Sequence, residues 1–364
     1  MSLVATRLQN WRINNPELDR NMTRPSEYGA LDFFIQQTDA PNSIISSELR
    51  DRAFASIGNT VQVPVINYDS DVTVANTRSC VIADDENTSA LYTVVWTTYA
   101  IGFTMVPTLY MNNEITYQHD WERKMEKTCR ALAAALDTAA VSALSTNKTQ
   151  VFGDLLQYTQ SGNVVQVPFE MATEILGDFN PMMRANDFPE TIHIIGNAGM
   201  DSLIRKLAQH DIYNDVNKRM EYDNKIIHYS NRVVNEAGKY ATVYAVADGN
   251  AGVLTRVDRE ALRRARANFH EWDVTRLPYI DLPVGSHYYT AVGDQSSIAG
   301  DASADMTCNV KEYFGFSVDV AFIVAYNSAP STVSNPIIKA EIAAPASQTP
   351  IAMPVYVVNP PAQG

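Results

Sequence analysis

A chain of 364 residues that is 46% hydrophobic can bury one large core or two small ones, which excludes disorder throughout. Its 28 Lys and Arg against 41 Asp and Glu give a net charge of -13, which works against DNA or an anionic membrane as a tight partner. Cys80, Cys129 and Cys308 lie far apart with no CxxC pair, so neither a zinc ribbon nor a disulfide framework is encoded, and a reducing interior suits them.

The opening residues, MSLVATRLQNWRINNPELDR, lack the basic start, apolar run and small-residue cleavage site of a secretion signal. The longest apolar stretch, 91–106, is broken by Thr, Tyr and Gly and falls short of the about 20 residues that span a bilayer. A soluble, intracellular protein is expected.

Residues 1–56 read as an arm: a short amphipathic start, the turn-prone Asn14-Asn15-Pro16, then a helix over 27–37. From Asn59 the texture turns to β. Val61, Val63 and Val65 alternate on one face, followed by Val72, Val74 and then Leu91, Val94, Trp96 and Tyr99, the pattern of two long strands in a projecting hairpin. Residues 83–89, ADDENTS, make its polar tip.

Over 113–145, Trp121, Met125, Leu132, Leu136, Ala140 and Leu144 recur at helical intervals, and Asp120/Lys124 and Glu126/Arg130 add favourable i,i+4 pairs. Thirty-odd residues at about 1.5 Å each make a rod of roughly 45–50 Å, a spine for the subunit. Beyond it, helices are expected over 169–179 and 197–210, with strands over 191–195, 225–229, 241–247 and 252–257. A last strand over 313–326 alternates Phe314, Phe316, Val318, Val320 and Phe322. After Ala329, prolines 330, 336, 345, 350, 354, 360 and 361 crowd the chain, the composition of an extended tail. No repeat of fixed period is visible, which speaks against solenoids and propellers.

Candidate chemistry is sparse. His119, His193, His210, His228, His270 and His287 show no HxH or HExxH spacing and no nearby Cys, so no metal site is expected. Gly196-Asn-Ala-Gly199 sits between a strand and a helix but completes neither GxGxxG nor GxxxxGK[ST], and reads as a plain turn. Asp84, Asp85 and Glu86 lack the spacing of a calcium loop and read as a solvated tip. No catalytic constellation and no cofactor site emerge.

This order of an N-terminal arm, a long β-hairpin, a long helix, a mixed α+β domain and a returning strand resembles the Hong Kong 97-like capsid fold of tailed phages. Val106-Pro107-Thr-Leu-Tyr-Met-Asn-Asn113 leading into the helix, and Gly252-Val-Leu-Thr-Arg-Val257 before a basic helix, carry the likeness, which spans about residues 25–328. The resemblance implies an α+β subunit divided into an N-arm (1–56), extended loop (57–107), spine helix and peripheral region (108–168), axial domain (169–312), returning peripheral strand (313–329) and Pro-rich tail (330–364). It implies a non-enzymatic major capsid protein that forms the pentamers and hexamers of an icosahedral head. Such a head meets a portal and decoration or scaffolding proteins, touches packaged DNA only non-specifically, involves no membrane, and is assembled in the host bacterial cytoplasm as part of the virion. Rivals are an encapsulin-like cargo shell, a phage tail or head-completion protein, and a mixed α/β enzyme; length and the long arm and tail disfavour the first, the spine helix a tail tube, and the missing catalytic residues the last.

Within that reading, Arg259, Arg263, Arg264 and Arg266, together with Asp84, Asp85 and Glu86, are candidate inter-subunit contacts. Arg256 and the four arginines concentrate positive charge in an acidic chain; without interleaved aromatics to stack on bases, salt bridges to neighbouring copies or a solvated face fit better than nucleic acid. The tail is either disordered or, given Val355-Tyr-Val-Val358, laid along an adjacent subunit, and deleting 331–364 is then expected to weaken shells without unfolding the subunit. Some family members weld the shell through a loop lysine, whereas residues 57–107 hold Arg78 but no lysine. Boiled particles should therefore run as monomers on a denaturing gel; a covalent ladder would contradict this.

Overall fold

The computed structural model describes residues 3–15, 28–56, 61–65, 90–110, 116–148, 157–184, 188, 191–207, 221–222, 224–257, 271–292, 310–325 and 336–345. Helices and strands alternate through an α+β chain, as the sequence patterning indicates. The long periodic segment forms one helix, α4 (Tyr117–Thr146), whose 30 residues span about 45 Å. Thr116 starts it by accepting from the His119 amide at 3.3 Å, and Asn147 ends it through a backbone bond to the Ala143 carbonyl. Every apolar residue of the expected stripe, from Trp121 to Leu144, is buried. The Asp120/Lys124 and Glu126/Arg130 pairs form at 3.0 and 2.9 Å.

One sheet is antiparallel and five-stranded. Its axis is β13 (Val310–Val324), which pairs with β3 (Thr97–Met105), β10 (Ala251–Arg256) and β12 (Ile280–Val292); β11 (Glu271–Leu277) adds to β12. The alternation of Phe314, Phe316, Val318 and Val320 puts one face of β13 into the core beneath α4, where Phe314 stacks on Phe103 at 5.0 Å. The β11–β12 hairpin, for which the sequence shows no strong alternation, turns through Tyr279 at φ 66° and rests that ring under Arg130 of the spine.

The second sheet is mixed and seven-stranded, ordered β4 (Thr159–Ser161), β5 (Val164–Val167), β14 (Ile337–Ala343), β9 (Lys239–Ala247), β6 (Ile192–Gly196), β8 (Lys225–Tyr229) and β7 (Glu221–Tyr222). One face carries Ile192, Ile194, Val243, Ala340 and Ile342 against α5 (Glu174–Arg184) and α6 (Ala198–Leu207). The other face turns Ile195, Tyr244, Val246 and Ile337 into the same core as the spine and the first sheet. Residues 169–312, expected as one domain, therefore supply strands to both sheets.

Two further differences from the sequence reading stand out. Part of the expected arm is interior: α2 (Gly29–Asp39) lies against α4, β6, β8 and β10, with Phe33 and Phe34 fully buried. Phe34 meets Phe322 of the first sheet at 4.9 Å, while Phe33 meets His193 and His228 of the second, so this helix is the wedge between the sheets. α1 (Leu3–Asn14) packs Val4, Leu8 and Trp11 into the same core. α3 (Ser47–Ala55), capped by Ser46, closes a smaller core with Leu254 and Ile323.

The second difference is β14. Residues 337–343 were read as part of a Pro-rich tail, but they form a strand inserted between β5 and β9, parallel to the first and antiparallel to the second. Pro336 sits just outside the strand, and no proline interrupts it, so the local run IIKAEIA is free to pair on both sides. Deleting 331–364 should consequently abolish cooperative unfolding and leave insoluble protein, contrary to the expectation from composition. Retention of a sharp thermal transition by circular dichroism in that truncation would overturn the placement of β14.

Candidate functional site: a buried polar seam

The seven residues singled out as inter-subunit contacts, Arg259, Arg263, Arg264, Arg266, Asp84, Asp85 and Glu86, lie outside the described residues, as do the hairpin tip 83–89 and Val355–Val358. What is described is how their elements are rooted. The hairpin base pairs β1 (Gln62–Val65) with β2 (Ala90–Thr93), Gln62 opposite Thr93. Val94 still donates its amide to the Val61 carbonyl at 2.9 Å, after which the chain leaves the ladder before β3 begins, so the second strand expected from Leu91 through Tyr99 is two strands that enter different sheets. Val94 at this break is buried in the small core while Val95 is 72% exposed.

Arg256, the first of the basic run, is committed internally. Its Nε donates to Asp319 Oδ2 at 2.8 Å, and its guanidinium lies 4.6 Å from the Trp96 ring centroid, which ties β10, β13 and the hairpin exit together. Lys124, the first lysine of the chain, is likewise engaged, with Asp120 and the Thr104 carbonyl. α1 is fastened by Arg7, which donates to the Tyr117 hydroxyl at 2.7 Å and lies over the Tyr117 and Phe314 rings. Tyr117 and Tyr288 both donate to Glu312; burial first, and this acceptor second, push the Tyr117 phenol up.

The Gly196–Gly199 segment is the turn expected. Asn197 accepts from the Met200 amide at 3.3 Å to start α6, and a Cβ on Gly199 would fall 2.3 Å from the Tyr240 carbonyl oxygen, so the glycine serves close packing on β9. Among the described residues no group of three or more His, Cys, Asp or Glu is arranged to hold a metal, and no helix is long and apolar enough to cross a membrane.

A polar seam runs instead through the junction of spine, wedge helix and second sheet. Asp137, fully buried on α4, accepts from the Leu31 amide at 2.9 Å and from Ser230 Oγ at 2.5 Å. It thereby caps α2, whose own N-cap residue Tyr28 provides no side-chain bond. Desolvation raises the Asp137 carboxyl, opposed by these hydrogen bonds. Further along, His193 of β6 and His228 of β8 stack with Nδ1 of the first 3.0 Å from Nε2 of the second. His193 Nε2 lies 3.1 Å from Asp248 Oδ1, and His228 Nδ1 lies 3.6 Å from Asp32 Oδ2 on α2. Gln37 of α2 donates to Asp248 Oδ1 at 2.7 Å, accepts from the Gly249 amide at 2.5 Å, and puts Nε2 2.8 Å from His193 Nε2. Asn42 donates to the other Asp248 oxygen at 2.7 Å. Hydrogen bonds from His193, then Gln37 and Asn42, hold the Asp248 carboxyl well below the usual range against its desolvation.

Motif spacing missed this cluster because His193 and His228 are 35 residues apart and meet only through the parallel β6–β8 pairing. The one available signal was a histidine in each of two apolar strands.

No family model matches the chain. No curated protein matches it either. Among solved structures it is similar to one from Mycobacterium phage Che8, at 12% identity, covering 82% of this chain and 89% of that one, with a TM-score of 0.47. It is similar also to the capsid asymmetric unit of cyanophage Pam1, at 12% identity, 88% and 93% coverage and a TM-score of 0.47. A third, the capsid of cyanophage P-SCSP1u, is 9% identical, with 80% and 84% coverage and a TM-score of 0.44.

Removing the Asp137 carboxylate strands two buried donors. Asp137→Ala should cost about 2–3 kcal/mol in denaturant unfolding. A cost below about 0.5 kcal/mol, the level of an ordinary surface change, would show that the cap does not hold α2.

Proposed function

We propose that this chain is a shell-building subunit, the major capsid protein of a tailed double-stranded DNA bacteriophage with a Hong Kong 97-like fold. The observation that carries the reading is one of order and placement. A two-stranded hairpin precedes a 30-residue helix, and that helix packs against an antiparallel sheet with a returning strand at its axis, beside a separate mixed sheet. In this assignment α4 is the spine, the five-stranded sheet is the peripheral domain, and the seven-stranded sheet with α5 and α6 is the axial domain. The hairpin from 57–107 is the extended loop, and α1 begins the N-terminal segment.

A physical argument runs beside the architectural one. A two-stranded hairpin on its own is marginal in water, and the described base of this one pairs only β1 with β2. A hairpin so rooted gains its stability from a neighbouring surface, and in a closed shell every copy supplies one to the next. Many modest contacts then make a stable particle through multivalency. The net charge of -13 suits a container whose wall must not bind its DNA. On this reading the protein acts in the virion, is assembled in the host cytoplasm, contacts other copies as pentamers and hexamers along with portal and accessory head proteins, and catalyses nothing. Arg259, Arg263, Arg264 and Arg266, with Asp84, Asp85 and Glu86 of the loop tip, are proposed contacts between copies.

Electron microscopy of the purified protein tests this directly, with closed icosahedral shells as the expected result. Paired Arg263→Glu and Arg264→Glu substitutions should lower the yield of shells while leaving soluble subunit. A chain that stays monomeric at high concentration, or forms tubes, would sink the proposal.

A further inference from the structure

The outermost strands of the two large sheets present backbone donors and acceptors that a stray strand could pair with, and most of them are protected. β4 and β7 are three and two residues long, too short to offer a row. β10 is closed by α2, where the Thr38 hydroxyl accepts from the Val253 amide at 2.7 Å. β11 carries Glu271, Asp273 and Arg276, and α1 holds it: the Leu3 amide donates to Glu271 at 2.8 Å and Arg12 to the Arg276 carbonyl at 2.7 Å. β3 is different. Its nine residues, Thr97-Thr-Tyr-Ala-Ile-Gly-Phe-Thr-Met105, include no charge and no proline, and its register with β13 runs without a bulge. Among the described residues β13 is its one partner strand. The devices that keep an edge strand from pairing are missing here.

The side chains of β3 also suit an added strand. Thr98, Ala100, Gly102 and Thr104 are exposed and small, so nothing bulky overhangs the edge. Tyr99, Ile101 and Phe103 pack on the core from the other face but stay half-buried, and a further strand would cover their open side. We propose that this edge receives residues 355–359 of a second copy of the chain, as a sixth strand of the sheet. The proposal rests on the self-assembling subunit argued above.

Composition and reach select that occupant. An uncharged edge buried under a new strand favours an uncharged partner, because a charge brought there would lose its water. Of the segments outside the described residues, 346–364 is the longest without a charged residue, whereas the hairpin tip carries Asp84, Asp85 and Glu86. Within it Val355-Tyr-Val-Val358 has the strongest β propensity, and Pro354 and Pro360 bound the run, since proline cannot donate to a ladder. The tail leaves from β14, whose Lys339 pairs with Tyr244, and Tyr244 bonds to Ser145 at the C-terminal end of the spine. β3 is fastened at the opposite end, where Lys124 donates to the Thr104 carbonyl. From Ser145 to Lys124 the helix runs about 32 Å, roughly the full extended length of residues 346–354. Reaching the Thr104 end of its own edge would leave the tail no slack to turn into a ladder, while a neighbouring copy is under no such constraint.

The test is a photo-crosslink in the full chain, with Tyr356 replaced by p-benzoylphenylalanine and isotopically light and heavy copies mixed in equal amounts before assembly. Mass spectrometry should place the crosslink within 97–105, with light–heavy pairs about as frequent as same-isotope pairs. Crosslinks to another segment, or same-isotope pairs alone, overturn the proposal. A synthetic peptide of residues 351–361, titrated into unassembled chains, reads the same edge whether or not shells form. Pairing engages the amides of alternate residues, so N-methylating Val355 and Val357, or instead Tyr356 and Val358, should weaken binding about tenfold or more in one of the two peptides and spare the other. Equal binding by both, or no binding of the unmodified peptide at about 1 mM, overturns the strand addition. Shells whose crosslinks lie elsewhere would remove the docking and leave the shell reading standing; peptide binding by chains that never form shells would do the reverse.

Discussion

The arrangement of this chain depends on one buried carboxylate. Asp137 sits in the middle of the spine helix, where an unpaired charge is expensive, and the structure spends it on the N-terminus of a different helix. Because α2 begins without a side-chain cap of its own, its first amides would otherwise be buried unsatisfied. The dipole of α2 and the hydroxyl of Ser230 share the charge, so one side chain fixes the spine, the wedge and the exit from β8 in mutual register. Phe33 and Phe34 then face opposite sheets from adjacent positions on the wedge.

How much of this was legible in the sequence follows from which interactions are local. The spine was readable because its stripe and its i,i+4 pairs lie within one helix, and β13 because its alternation is long and regular. The wedge was placed in sequence almost correctly, at 29–39 against an expected 27–37, but read as part of an arm. A helix of eleven residues looks marginal by itself, and what makes it interior is a carboxylate 106 residues away. The β11–β12 hairpin escaped notice because Trp272, His287 and Tyr289 form a cross-strand stack that offers no simple apolar alternation.

β14 shows the opposite error. Proline content averaged over 330–364 suggested an extended tail, while the seven residues that matter contain none. The polar pair Lys339 and Glu341 also disguised a central strand; they meet at 2.5 Å on one face, and Ile338, Ala340 and Ile342 fill the other. As for the candidate contacts, their charge clusters are visible in the sequence, but they lie outside the described residues and their sequence names no partner. The histidine pair is the reverse case, silent in sequence and explicit once β6 and β8 lie side by side.

The position of β14 bears on how such a protein is made. Its neighbours β5 and β9 are both translated well before it, and neither can complete its ladder until residues 337–343 arrive to fill the slot between them. The mixed sheet therefore remains open while most of the chain is being synthesised, and a nascent or truncated copy presents two unsatisfied strand edges in place of a finished surface. Only a polypeptide read through to that strand can close its own sheet. The fold thus carries a built-in check on the completeness of each chain.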